Sequence, residues 1–249
     1  MNEIQRVRVL GVPIDYVDMS LALKYIGELI TNKKKGNYIL AVNAEKIMFL
    51  QTDSFLKEIF ENATLLIPDG VGAALGIRWR YRLPARRVPG CDLMQNICEE
   101  AAKKGYKIFI YGSREEENKR AVSKLNILYP GIRIVGRCEG YLPETRMGEL
   151  LHDINRSQAD ILFVALGSPK QEKWIKKYLQ RLNVKVCQGI GGTLDAITSE
   201  TKRSPAFFQK LALEWFYRLI IEPKRIRRQA IIPLFLFKVF KEKRGVRPK

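Results

Sequence analysis

The chain has 249 residues, 46% of them hydrophobic, enough for one large α/β core or two small ones. Forty-four Lys and Arg against 26 Asp and Glu leave a net charge of +18, which implies an anionic partner: nucleic acid, acidic lipid or a phosphate-bearing substrate. A lone histidine, His152 in a polar helix-like stretch, excludes multi-histidine metal sites, and Cys91, Cys98, Cys138 and Cys187 lack the spacing of a zinc site or a disulfide framework.

Taken in chain order, MNEIQRVRVLGVPID carries an early acidic residue and an apolar run broken by Pro13, so no signal or transit peptide is expected. VRVLGVPI reads as an opening strand and turn, and Ser20 as the N-cap of a helix through Ile30. NYILAVN is a strand, AEKIMFLQTDSFLKEIFENA one or two helices, and TLLIPDG a strand ending in a turn. The basic stretch RWRYRLPARRVPG is read as irregular, and CDLMQNICEEAAKKG as a helix stopped by Gly105. Strand and helix then alternate: KIFIYGS, REEENKRAVSKLNILYPG, IRIVGRCEG, ETRMGELLHDINRSQ, DILFVALGS, PKQEKWIKKYLQRL and VKVCQGIGG. Such alternation predicts an α/β fold, a doubly wound, mainly parallel, Rossmann-like sheet over residues 1–200, followed by a basic C-terminal helical appendage over 201–249.

Parallel sheets bind ligands beyond the C-terminal ends of their strands. The loops expected there are AVNAE, PDGVG, YGSRE, CEGY, LGSPKQE and GIGGTLD. Asp69 closes an apolar strand, where shielding can raise a carboxylate into the range of a general base, although Asp before Gly is also ordinary turn chemistry. Gly70, Gly72, Gly191 and Gly192 permit close backbone approach to phosphate or sugar, or else tight helix packing; Gly112 and Ser113 are equally open. Gly70, Gly72 and Gly76 overshoot the dinucleotide fingerprint by one residue, so a nucleotide-dependent oxidoreductase is disfavoured. The turn at Gly167 and Ser168 with Pro169 opening a helix presents free N–H groups, and Gln171 beside it can read a hydroxyl or a base edge. No D-x-D triplet occurs, so phosphate charge must be met by Lys, Arg or backbone N–H groups; no metal or other cofactor is expected.

Residues 201–249 hold fourteen Lys and Arg against three acidic residues, or +11 of the total. Trp215, Phe216, Tyr217, Phe235, Phe237 and Phe240 interleave with these charges, and Ile231–Phe240 is too short to cross a hydrocarbon core that needs about 20 residues. Basic residues beside aromatics suit a helix lying in the interface of an anionic leaflet. A dimerisation helix is the plainer alternative, and a non-enzymatic module binding nucleic acid through this tail the third.

Read together, GVPID, NAE, PDG, Arg87 with VPGCDLM, FIYGS, LYPG, EGY, FVALGSPKQEKW, GIGGTLD, KRSP and LEWFYRLIIEPKR resemble the WecG/TagA/CpsF family, glycosyltransferase family 26, over nearly the whole chain. The resemblance implies an inverting, metal-independent enzyme that moves a sugar from a UDP-sugar to a polyprenyl-diphosphate-linked GlcNAc or similar acceptor, in cell-surface polysaccharide synthesis. It implies a peripheral protein of the cytoplasmic face of the membrane that binds no nucleic acid. By the same resemblance Asp69 is the general base; Asn43, Arg87 and Gln171 line the sugar and acceptor pocket; Tyr141 and Asp195 lie near the nucleotide; and Arg218, Arg225 and Arg228 reach the active site from the appendage. The tail can close over its own core or a neighbour's, so a homo-oligomer stays open. Some family members have Thr-Pro before Asn-Ala-Glu where this chain has Ala41 and Val42. That loss of a hydroxyl leaves glucose and N-acetylmannosaminuronate beside N-acetylmannosamine as the transferred sugar.

Overall fold

The computed structural model describes residues 4–32, 34–198 and 231–242. Six strands form one parallel sheet in the order β4-β3-β8-β7-β5-β6. They are β3 (Asn37–Val42), β4 (Leu65–Pro68), β5 (Lys107–Gly112), β6 (Arg133–Cys138), β7 (Ile161–Ala165) and β8 (Val186–Gly189). Because all six run the same way, every loop predicted to face ligand leaves the same edge of the sheet.

The sheet is covered on both faces, and the two-residue period of its strands sorts the side chains. Leu40, Val42, Phe109, Tyr111, Leu162, Val164 and Cys187 enter one cluster, packed by α2 (Ala44–Phe49), α3 (Ser54–Glu61), α4 (Gly70–Tyr81), α7 (Met147–Arg156) and α8 (Lys170–Tyr178). Their neighbours Ile39, Ile67, Ile108, Ile110, Ile161, Phe163 and Val186 enter the other, under α1 (Met19–Thr31), α5 (Gly90–Lys104), α6 (Glu115–Leu128) and α9 (Thr193–Thr198). The doubly wound α/β reading therefore holds.

Three elements differ from the sequence expectation. The opening segment is a hairpin, β1 (Arg6–Val9) and β2 (Val12–Asp15), reversed at Leu10 and Gly11, both at positive φ. It covers the outer edge of β4: buried Asp15 accepts Leu66 N–H at 2.7 Å and pairs with Arg6 at 2.7 Å. Helix α1 begins at Met19 with Asp18, not Ser20, as its cap, the Asp18 carboxylate accepting Leu21 N–H. The first four residues of the supposedly irregular basic stretch are the end of α4, where Trp79 packs edge-on against Phe240 at 4.6 Å and Arg80 pairs with Glu242.

Phe240 belongs to α10 (Ile231–Lys241), and Glu242 follows directly after it. This helix is part of the core: Phe235 and Val239 are buried among residues of α2 and α4. Gly72 and Gly76 exist for such contacts, since a Cβ on Gly72 would lie 2.9 Å from Ala44 and 3.2 Å from Phe235, and one on Gly76 would lie 2.6 Å from Val9. They are packing glycines, and phosphate approach is not their task. Among the described residues no helix is long and apolar enough to cross a membrane.

Candidate active site

At one end of the loop-bearing edge, the ends of β3 and β4 bring Asn43, Asp69 and Arg87 into one neighbourhood. Asp69 N–H bonds to Val42 O at 2.8 Å, which docks the β4 loop against the β3 loop. Asn43 caps α2, its Oδ1 accepting Lys46 N–H at 2.9 Å, and among the described residues its Nδ2 donates no hydrogen bond. Asp69 holds the cap position of α4 without capping it. Its carboxylate turns away from the helix, and Gly90 N–H donates to Oδ1 at 3.3 Å. The segment before Gly90 is tied alongside, Val88 N–H bonding to Pro68 O at 2.8 Å, so partly buried Arg87 enters next to Asp69. An Asp that forgoes its own helix N–H groups at a partly exposed strand end is a candidate for taking an external proton.

The other end is built from backbone. Ser113 N–H bonds to Ala165 O at 2.9 Å and Gly140 N–H to Ser113 O at 2.8 Å, so the loops after β5, β6 and β7 touch main chain to main chain. Gly112 makes this possible: at φ 126° its place for a Cβ lies 2.4 Å from the Ala165 carbonyl oxygen. Ser113 Oγ donates to Asp195 Oδ1 at 3.0 Å, uniting two residues predicted to line the ligand site from strands three places apart in the chain's strand sequence. Asp195 is exposed and Tyr141 is 69% exposed beside Gly140. Gly167 and Gly191 also have positive φ, but open space lies where their Cβ would be, so here the backbone itself faces outward.

Gln171 departs from its predicted role on the pocket wall. It is 2% exposed, its Oε1 accepts Gly191 N–H at 2.9 Å, and its Nε2 donates to Glu172 Oε1 at 3.3 Å. Both ends of its amide bond to protein, Oε1 holding the β8 loop and Nε2 reaching Glu172. Arg218, Arg225 and Arg228 lie outside the described residues. Among those described, no three His, Cys, Asp or Glu side chains gather as metal ligands.

One pair escaped the sequence reading altogether. Lys46 Nζ donates to Glu172 Oε1 at 2.9 Å, and Glu172 is fully buried. Helical spacing carried a signal, because Glu172 shares the buried stripe of α8 with Trp174, Ile175 and Tyr178.

The fold is that of an α/β protein with a doubly wound sheet, whose C-terminal edge carries a carboxylate at one end and a backbone cradle at the other. Comparison with known proteins makes this specific. The model of the Glycosyl transferase WecG/TagA/CpsF family matches residues 7–249, and the chain belongs to that family. It is 33% identical over 234 residues, 93% of this chain and 91% of the relative, to the N-acetylglucosaminyldiphosphoundecaprenol N-acetyl-beta-D-mannosaminyltransferase of Bacillus subtilis (strain 168). The protein of that name from Staphylococcus aureus (strain MRSA252) is 31% identical over 243 residues, 97% of this chain and 95% of its own. The chain is a glycosyltransferase, and the non-enzymatic reading gives way.

Proposed function

We propose that the chain transfers a sugar, N-acetylmannosamine or a related hexose, from a UDP-sugar to a polyprenyl-diphosphate-linked GlcNAc, with inversion and without a metal ion. The acceptor follows the names of the relatives. The observation that carries the mechanism is the placement of Asp69, off its own helix, beside Asn43 and Arg87 at the mouth of β3 and β4.

In this reading Asp69 takes the proton of the acceptor hydroxyl as that oxygen attacks the anomeric carbon and the bond to UDP breaks. The nucleotide lies over Gly112, Ser113, Gly167 and Gly191, with Asp195 at the ribose and Tyr141 along the base side. The departing diphosphate gathers negative charge, which Arg87, Arg218, Arg225 and Arg228 stabilise; planar guanidinium groups with several fixed N–H donors suit the oxygens of a phosphate. Such charge pairing in a closed site is worth several kcal/mol of barrier, of the order of a 10²–10³-fold rate effect for one lost donor.

The lipid-linked acceptor places the enzyme on a membrane surface, the cytoplasmic one where nucleotide sugars are available. Residues 201–249 are the proposed membrane-association region. Its described helix α10 turns Leu234, Phe237 and Phe240, each about half exposed, outward beside Lys238 and Lys241. Each basic residue at an anionic surface contributes about 1 kcal/mol.

The test is a panel of UDP-sugars offered with a short-chain polyprenyl-diphosphate-GlcNAc in excess EDTA. Turnover of one UDP-sugar to a disaccharide of inverted anomeric configuration is expected. Dependence on an added divalent cation would contradict metal independence, and transfer to no GlcNAc-linked acceptor would contradict the substrate assignment.

A further inference from the structure

The loops at the two ends of the site are joined beneath the surface by a chain of side chains. Gly191 N–H bonds to Gln171 Oε1 at 2.9 Å; Gln171 Nε2 donates to Glu172 Oε1 at 3.3 Å; Lys46 Nζ donates to that same oxygen at 2.9 Å. Lys46 then closes the path through its backbone, since its N–H is the one that Asn43 Oδ1 accepts. The path runs from the β8 loop through the first turn of α8 to the first turn of α2.

We propose that Lys46 and Glu172 are a positioning pair that sets the placement of the Asn43 loop relative to the Gly191 loop for sugar transfer, an inference that rests on the function proposed above. A Glu in a helix's first turn is ordinarily explained by the helix dipole, and such residues sit in water. Glu172 has no exposed surface, Lys46 is 15% exposed, and Glu172 Oε2 is buried with no hydrogen-bond partner among the described residues. That is a poor way to gain stability. A buried ion pair roughly breaks even against apolar residues of the same volume, and an unpaired carboxylate oxygen adds a desolvation loss. What the pair does supply is direction. Lys46 reaches from one loop's helix to the other's, and its position over the Phe60 ring, 5.4 Å from the centroid, fixes the path of its stem. Neither residue reaches substrate in this account; both act through Asn43 and Gln171.

The discriminating protein is the full chain carrying Lys46→Met with Glu172→Leu, which replaces the pair by apolar side chains of similar volume. Its thermal midpoint is expected to stay close to that of the unsubstituted chain. Its kcat and kcat/KM for the UDP-sugar are expected to fall together by about 30-fold or more, as for a reacting group misplaced by a fraction of an ångström. Lys46→Arg, which keeps the charge and the reach, should retain kcat to within about fivefold, consistent with an ion pair preserved in kind. A double variant that folds and turns over at the original kcat overturns the proposal and leaves the catalytic assignment standing. Should the double variant fail to fold, Lys46→Met with Glu172→Gln decides: it keeps the acceptor for Gln171 and removes the bond to α2, and an unchanged kcat overturns the proposal. An unsubstituted chain that transfers no sugar takes down the proposed function and this inference together.

Discussion

The two ends of the loop-bearing edge are made in different ways. Around β3 and β4, the proposed function rests on side chains: a carboxylate that does not cap its helix, an asparagine amide and an arginine. Around β5, β7 and β8 it is vested in main chain, with glycines at positive φ and the two polar side chains, Ser113 and Asp195, already bonded to each other. Chemistry that moves a proton needs a titratable group in a particular place, whereas holding a nucleotide needs shape and N–H donors, which backbone provides with little conformational freedom to lose.

The sharpest way to separate packing from ligand contact is to place a methyl group on two glycines of the backbone end. Gly112→Ala drives a Cβ to 2.4 Å from the Ala165 carbonyl at a φ that L residues avoid, and should destabilise the fold by about 3 kcal/mol or more, lowering the thermal midpoint by roughly 6–12 °C. Gly167→Ala meets open space and carries only the left-handed backbone penalty, about 1–2 kcal/mol, so its larger effect should fall on UDP affinity measured by calorimetry. Equal losses of stability in the two variants would erase the distinction between them.

A smaller effect is expected at the exposed Asp195. Asp195→Ala removes the partner of Ser113 and should weaken UDP binding about tenfold, with the thermal midpoint nearly unchanged, as for one charge-assisted hydrogen bond. Undiminished UDP affinity would detach this residue from the nucleotide.

The smallest effect serves as a control remote from both ends. The Arg8 hydrogen bond holds the Glu61 carboxyl below the ordinary glutamate range. A depressed folded-state value stabilises above the unfolded one and is lost as acid protonates the pair. Glu61→Gln should therefore cost about 0.5 kcal/mol near neutrality, as surface pairs do, and the difference should vanish in acid while kcat stays the same.

Much of this was readable in the residues. The alternation of apolar runs and amphipathic stretches gave the sheet and its two-sided cover, because a strand buried on both faces is apolar throughout and its crossover helix is not. Loop composition supplied the candidate site, and the ordered motifs identified the family. What was missed depended on partners distant in the chain. Residues 78–81 (RWRY) end α4, and there Trp79 and Arg80 meet Phe240 and Glu242 some 160 positions later. Lys46 and Glu172 are 126 residues apart, and although helical spacing puts Glu172 on the buried stripe of α8, it does not say which residue of another helix pairs with it. Gln171 stands in a loop motif that suggests ligand contact, yet the fold turns its amide inward to Gly191. The opening hairpin read as a strand and a turn, and its second strand, Val12–Asp15, was missed because it is only four residues long.

The proton-accepting role of Asp69 is tested most directly by Asp69→Asn, which keeps the shape of the side chain and removes its basicity. Measured with a UDP-sugar and polyprenyl-diphosphate-GlcNAc in EDTA, kcat should fall by about 10²–10⁴-fold while the thermal midpoint and UDP affinity hold. A variant that turns over within a few-fold of the original chain would contradict the account, because the proton would then be leaving by another route.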